Sequence, residues 1–285
     1  MTIEIAVALW VATSGLMAFG NTAGFHRLLT HRSFEAAAPI RCGLTLLSAL
    51  HSGSPMLWVG VHRMHHAFAD TDLDPHSASH GLWYAHCGWL FFGTRRALPC
   101  VLFAISGFGL QLRYLITDIR RLLGLQDAPW RAMSRDLGRE RLMRLLDVPM
   151  VIPALFGLQV AAAWSIGGAW GLLWLWALHV VQTNVSWSIN SVCHGALPAP
   201  GTADSGGRSR DVAWLAWPTL GDSFHGCHHD RPSSACHALE GGTDITWLLI
   251  CALHRIGLVD RIQLPAGVFL PIWAMREQRQ EGSSG

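Results

Sequence analysis

The chain has no lysine. All 21 of its basic residues are arginine, a bias that fits GC-rich coding and a bacterial source. Charge of either sign is scarce. Only 14% of the 285 residues are charged, against about 25% in a soluble globular domain. With 51% hydrophobic residues and a mean hydropathy of +0.28, this shortage argues for a membrane protein. The formal net charge of +2 adds little, and no basic run unexplained by membrane topology supports nucleic-acid binding. Tyrosine occurs only at Tyr84 and Tyr114. Seven cysteines (Cys42, Cys87, Cys100, Cys193, Cys227, Cys236 and Cys251) include no CxxC pair, which excludes a disulfide framework or a zinc ribbon and suits a reducing compartment. There is no HExxH, so a zinc metalloprotease lacks its general base. There is no ExxH, so the carboxylate di-iron motif of ferritin-like bundles is absent. The N-terminus is apolar from Ile3 but has no basic leader region and no A-x-A site. It is expected to be a retained membrane helix rather than a signal peptide.

Histidine is what the chain has in excess. Nine fall in four clusters: His26 and His31; His62, His65 and His66; His194, preceded by Asn190; and His225, His228 and His229. Neutral imidazole is the commonest protein metal ligand, and nine are too many for one ion. At roughly four to six ligands per first-row metal, the number fits two metals. On a helix, residues at i, i+3 and i+4 share a face, so each HxxHH should point one way, and Asn190 with His194 likewise. His26 and His31, five apart, do not share a helical face. The helix is expected to end or distort just after Gly24. The isolated His51, His179, His237 and His254 read as packed or solvated residues. Imidazole suits iron, copper and zinc. A zinc site would use about four ligands and leave half the histidines idle, whereas two irons can also activate oxygen.

Three stretches are long enough to span a bilayer, which requires roughly 20 residues: about Ile3 to Phe25, Val148 to Ile166 and Gly168 to Trp187. The last two should form a hairpin at Gly167-Gly168. If all four clusters meet on one side, the number of crossings between His66 and His194 is even. Leu98 to Ile116 then cannot cross and should lie in the interface, and Cys42 to Leu50 does not cross either. Arg27, Arg32, Arg41, Arg63, Arg95, Arg96 and the Arg131–Arg144 run all fall on the cluster side, while the opposite side has Glu4. The positive-inside rule makes the cluster side cytoplasmic. The expected architecture is all-α: an integral membrane helical protein with about three transmembrane helices, interfacial helices and a cytoplasmic helical cap over a di-iron site. Residues 1–270 form one domain, and 271–285 form a polar tail expected to be disordered.

The residues from Asn21 to Phe34, Trp58 to His66, Asp70, Asp74 to His76, His86 to Trp89, Asn190 to His194 and Phe224 to His229 resemble the integral-membrane fatty acid desaturases. The likeness is to the group that introduces a first double bond near the middle of a saturated chain, and it runs from about Gly20 to Leu264. It implies a non-haem di-iron enzyme that uses O2 and two electrons to place a cis double bond in an acyl chain. The nine clustered histidines would ligate iron, and Asn190 would reach one iron through water. An unactivated C–H bond offers acids and bases no foothold, so the cofactor must carry the chemistry. Asp70, Asp74 and His76 are expected to orient ligating rings, with helix capping as the plain alternative for the aspartates. Trp58, Trp83, Trp89, Trp187, Trp214 and Trp217 are candidates for an acyl tunnel or for membrane-interface anchors.

The chain also departs from the family pattern. Only 25 residues precede His26, where the family usually has another membrane helix, so either that helix is missing or the chain start is truncated. Gly60-Val61 stand where acyl-CoA-using relatives often carry Arg-Asp. In this the chain looks more like relatives that act on acyl groups in membrane lipids or on a carrier protein, and the acyl group is expected to be linked to lipid, acyl carrier protein or CoA. The stretch after His229 matches only loosely. A separate electron donor, ferredoxin-like or cytochrome-type, is implied. Arg95, Arg96, Arg120, Arg121, Arg131, Arg135, Arg139, Arg141 and Arg144 are available to dock a donor, a carrier or lipid headgroups, or they follow topology alone. A hydroxylase or acetylenase on the same scaffold is the alternative, followed by a non-catalytic metal-binding membrane protein. The parity argument predicts that reporters fused after Ile116 and at the C-terminus both report cytoplasm in a bacterial inner membrane. A periplasmic signal after Ile116 would make residues 98–116 a true crossing.

Overall fold

The computed structural model describes residues 3–125, 129–195, 209–239 and 241–276. Helix α1 (Ile3–Phe19) is apolar on every face and runs without interruption into a π-helical segment, Gly20–Thr30. The stretch Glu4–Thr30 is long and apolar enough to cross a membrane. Its first half exposes Ile5, Val7, Leu9, Val11 and Leu16, as a lipid-facing helix does, whereas the whole π segment is buried.

Helix α2 (Ala38–Ser52) packs along that segment. A Cβ on Gly20 would lie 2.7 Å from Leu47 Cβ, and one on Gly24 would lie 2.7 Å from Ser48 Oγ. Only glycine permits this approach. Gly53 (φ +82°) then turns the chain, and α3 (Pro55–Phe68) starts with Ser54 as N-cap and Pro at its first position, a favoured helix start. Tyr114 seals the turn, donating its hydroxyl to Ser52 O at 2.5 Å. At 15 residues α2 is too short to span.

Residues 98–116 do not form one rod. Gly107 (φ +69°) separates α4 (Ala97–Ile105) from α5 (Gly109–Leu122), and the two are bent by 95°. A single straight crossing is thereby broken where the glycines interrupt the apolar run. After 3-10 turns over Pro129–Arg139 and the short α6 (Arg141–Leu146), α7 (Val151–Ser188) forms the second spanning element. It folds back on itself at Gly168 (φ 54°, ψ −133°). His179 reaches Gln159 at 3.4 Å and Phe156 at 5.4 Å between ring centroids. These pairs are possible only in a hairpin, so α1 and the two legs of α7 give three apolar legs. Gln182 donates to Ser14 O at 2.9 Å, which ties the outgoing leg to α1.

The outgoing leg ends in a second π segment, Ile189–Cys193. The cap is completed by α8 (His225–Asp230), α9 (Ile245–Arg255) and a two-residue antiparallel pair, β1 (Glu35–Ala36) with β2 (Val259–Asp260). The main core lies between the first π segment and the cap, around Phe25, Leu28, Leu29, Phe34, Val59, Met143 and Ile250. Order extends past residue 270. Ala274 is fully buried, and Arg276 pairs with Asp260 and donates to Val259 O. Residues 271–276 of the tail expected to be disordered are thus ordered, and residues 277–285 lie outside the described residues. Gly53→Ala should lower stability by about 1–3 kcal/mol or more, because a non-glycine residue at positive φ is strained and Tyr114 occupies the Cβ position. Thermal unfolding in detergent, with Gly15→Ala as control (nothing lies within 4 Å of its Cβ), measures this, and equal midpoints would refute it.

Candidate metal centre

The first π segment solves the spacing of the first cluster. An i→i+5 ladder takes more residues per turn than an α-helix, so positions five apart come onto one face. His26 and His31 thereby turn the same way without the helix ending, and the distortion begins at Gly20 rather than after Gly24. The nine clustered histidines converge into two groups. His26, His31, His62, His66 and His228 form one, and His65, His194, His225 and His229 form the other, with the ligating atoms of each group within 4.8 Å of one another. Each HxxHH is therefore divided between the groups. His62 and His66 face one while His65 faces the other, and His228 parts company with His225 and His229 in the same way. The groups abut where the rings of His66 and His229 stack at 4.3 Å.

The nitrogens meet edge to edge. In the four-histidine group Nε2 of His65, His194, His225 and His229 form a closed loop with sides of 3.1, 2.9, 3.1 and 3.2 Å. In the five-histidine group Nε2 contacts run His26–His228 3.1 Å, His228–His66 3.0 Å, His66–His62 3.2 Å and His62–His31 3.2 Å. Carboxylates decide what these contacts are. Asp74 lies 2.9 Å from His65 Nδ1, Asp70 lies 3.2 Å from His194 Nδ1, and Asp222 lies 2.8 Å from His26 Nδ1. An ionised carboxylate only accepts, so each of these Nδ1 atoms is the donor. A neutral ring then keeps its lone pair on Nε2. His65 and His194 thus point two lone pairs at each other across 3.1 Å, which is repulsive unless a cation sits between them. Metal–imidazole bonds of about 2.1 Å set right-angle neighbours about 3.0 Å apart, close to the observed contacts. The donor set fits two metal ions.

Burial first, and then the crowd of neighbouring imidazoles, hold His31, His62, His65, His225 and His228 well below the usual histidine pKa. The same causes bring His66 to about 3 and lower His229. Neutral rings are what ligation requires.

Asp74 also binds the backbone N–H of Asp70 and of His76, and His76 packs on His65 with ring centroids 4.3 Å apart. Asp70 (φ 60°) adopts the left-handed turn that aspartate tolerates. Asn190 sits on the second π segment and, with His225, lines a cavity of about 760 Å³ that also reaches His26 and His62. Trp58, Trp89 and Trp187 line this cavity too. Trp83 does not: it packs on a separate cluster with Cys87, Cys100 and Phe103. Trp214 and Trp217 are 72% and 70% exposed and are excluded from any tunnel wall.

Several participants are invisible in the sequence. Arg27, counted above among arginines on the membrane's cluster side, is fully buried and does not mark topology. It donates to Asp222 at 2.9 Å, to Asp244 at 3.0 and 3.1 Å, and to Ala235 O at 2.7 Å. Burial opposes the charge on Asp222, yet His26, His237 and Arg27 hold its carboxyl well below the usual range. His237, expected to be a plain packed residue, lies against His228 with centroids 4.4 Å apart and 3.4 Å from Asp222. Of the other isolated histidines, His51 and His179 are buried against each other, His51 on the cavity wall, and His254 bonds Val259 O. No short-range motif announces Asp222, which acts on a residue 196 positions away.

The family model "Fatty acid desaturase" matches residues 5–245. The chain belongs to the fatty acid desaturase family. It is 30% identical over 269 residues to an sn-1 stearoyl-lipid 9-desaturase of Anabaena variabilis, covering 92% of this chain and 84% of the relative. It is 32% identical over 269 residues to delta-9 acyl-lipid desaturase 1 of Arabidopsis thaliana (92% and 76%). An acyl-CoA 5-desaturase of Anemone leveillei is 31% identical over 254 residues (88% and 69%). The desaturase relatives and the apolar legs together make this a membrane-associated oxidoreductase of lipid metabolism whose histidine clusters are consistent with a metal centre. Asp222→Asn should weaken metal retention about 10–100-fold, the usual effect of losing a carboxylate that orients a ligand, and Asp74→Asn should do the same for the other group. Competition with a chelator measures this, and wild-type retention in both variants would show that the carboxylates do not orient their rings.

Proposed function

We propose that this protein is an O2-dependent fatty acyl desaturase that places a cis double bond in a saturated acyl chain. Two irons would be held by the nine histidines, five at one and four at the other. The observation that carries this reading is the inward-pointing lone pairs of two adjoining nitrogen groups that open onto one tryptophan-lined cavity. When bound, iron with O2 supplies the oxidising power that removes hydrogen from two neighbouring methylenes. The chain's own residues do the rest. Asp74, Asp70 and Asp222 fix the tautomers of His65, His194 and His26 and so aim three of the ligating nitrogens inward. Arg27 and Asp244 brace Asp222 in turn. Trp58, Trp89 and Trp187 give the cavity an apolar wall that holds a methylene chain in place and excludes water. Asn190, which lines the same cavity as His225, would bond a water at the four-histidine ion.

The clusters are assigned to the cytoplasmic side of a bacterial inner membrane, where a separate ferredoxin-like or cytochrome-type donor would supply electrons. The acyl group would arrive on a lipid, acyl carrier protein or CoA. Expression in a host with the wild type beside His66→Ala, followed by mass spectrometry of total fatty acids with double-bond location, tests the reading. A new monounsaturated acid is expected from the wild type alone. A hydroxylated or acetylenic acid in its place would move the assignment to that chemistry, and an equal product from His66→Ala would overturn the site.

A further inference from the structure

The cavity has a feature that an acyl chain alone does not require. One wall is α5, which carries none of the histidines and contributes Arg113, Thr117, Arg120 and Arg121. Arg121 is committed elsewhere. It lies 3.5 Å from Asp118 and 3.6 Å from Asp147 and donates to Asp147 O. Arg113 and Arg120 have neither an ion pair nor a side-chain hydrogen bond among the described residues. Among the described residues the nearby acids are taken: Asp118 accepts Met150 N–H, and Asp147 is shared by Arg121, Arg131 and Ser54.

The two arginines are seven residues apart, so two helical turns place them on one face. Arg113 is only partly exposed. A guanidinium taken out of water without an anion is unfavourable. Burial, and then the like charge of Arg120, lower its pKa. Two unneutralised cations facing one cavity therefore await an anion on the ligand. A carboxylate is met by the fork of one arginine, whereas a phosphate offers enough oxygens for two.

We infer that Arg113 and Arg120 form an anion subsite on the α5 wall that takes a phosphate of the acyl carrier, so that the substrate is an acyl group joined to a phosphate-bearing head. This rests on the fatty acyl desaturase reading above. The phosphate comes either from the phosphodiester of a membrane phospholipid or from a soluble thioester carrier, and the experiment separates the two.

The full chain in detergent, loaded with iron, is titrated with dipalmitoyl phosphatidylglycerol, palmitoyl-CoA and an uncharged dipalmitoyl galactolipid. Tryptophan fluorescence reads binding, since Trp58 and Trp130 line the cavity. R113Q/R120Q should weaken binding of one phosphate probe roughly tenfold per arginine, the scale of a charge-assisted hydrogen bond. Galactolipid affinity should stay unchanged, and raised salt should reduce only the phosphate affinity. The probe that loses affinity identifies the source. Equal loss on all three probes, or loss on none, overturns the subsite. Iron content and unfolding midpoint check the fold. If the double variant fails there, the exposed Arg120→Gln alone carries the test. Binding is read without turnover. Arginine-dependent binding with no unsaturated product would fault the desaturase reading alone, and product formation with arginine-independent binding would fault the subsite alone.

Discussion

Nine imidazoles set nitrogen to nitrogen, five of them buried and four partly buried, are an unstable arrangement for a protein interior. Their lone pairs repel, and their neutral state leaves no charge to balance. What makes the arrangement possible is a ring of carboxylates behind the histidines. Asp74, Asp70 and Asp222 each accept from Nδ1 and thereby turn Nε2 inward. That one constraint, an inward lone pair on these three rings, dictates much of the surroundings. It needs a buried Asp222, which needs the Arg27 guanidinium, which needs Asp244. A cation at each centre would convert the repulsion into binding energy, and folding and metal loading would then be coupled.

The backbone serves the same end. Two π segments stand at the inner ends of the apolar legs, at Gly20–Thr30 and Ile189–Cys193. π-helical turns are rare and concentrate at functional sites. Here the first widens the helix so that His26 and His31 share a face, and Gly20 and Gly24 let α2 close against it. The outer halves of the legs need only be apolar. The inner ends must position donors to within fractions of an ångström, and this is where the regular α-helix is given up.

The cavity joins these parts to lipid chemistry. Histidines of both groups, tryptophans and α5 all line it. Across the 95° bend between α4 and α5, at Gly107 with φ +69°, α5 lies on the cavity wall.

The amino-acid sequence by itself determined the membrane class, the hairpin at Gly168 and which nine histidines converge. These follow from composition and short-range spacing, which a chain displays without folding. It also pointed to Asp74 and His76, which lie within eleven residues of His65, the ring they support, and to Asp70, whose partner His194 is 124 positions away and was supplied by packing. Tertiary structure alone decided how each HxxHH is divided between two centres, since neighbouring rings on a helix differ by direction and not by type. It alone recruited Asp222, Arg27, Asp244 and His237, whose partners lie some 200 positions away in the chain. It sorted the tryptophans as well, placing Trp58, Trp89 and Trp187 on the cavity and Trp83, Trp214 and Trp217 off it. The reason is the same throughout. Spacing along a helix fixes which face a residue occupies, but only packing fixes what that face meets.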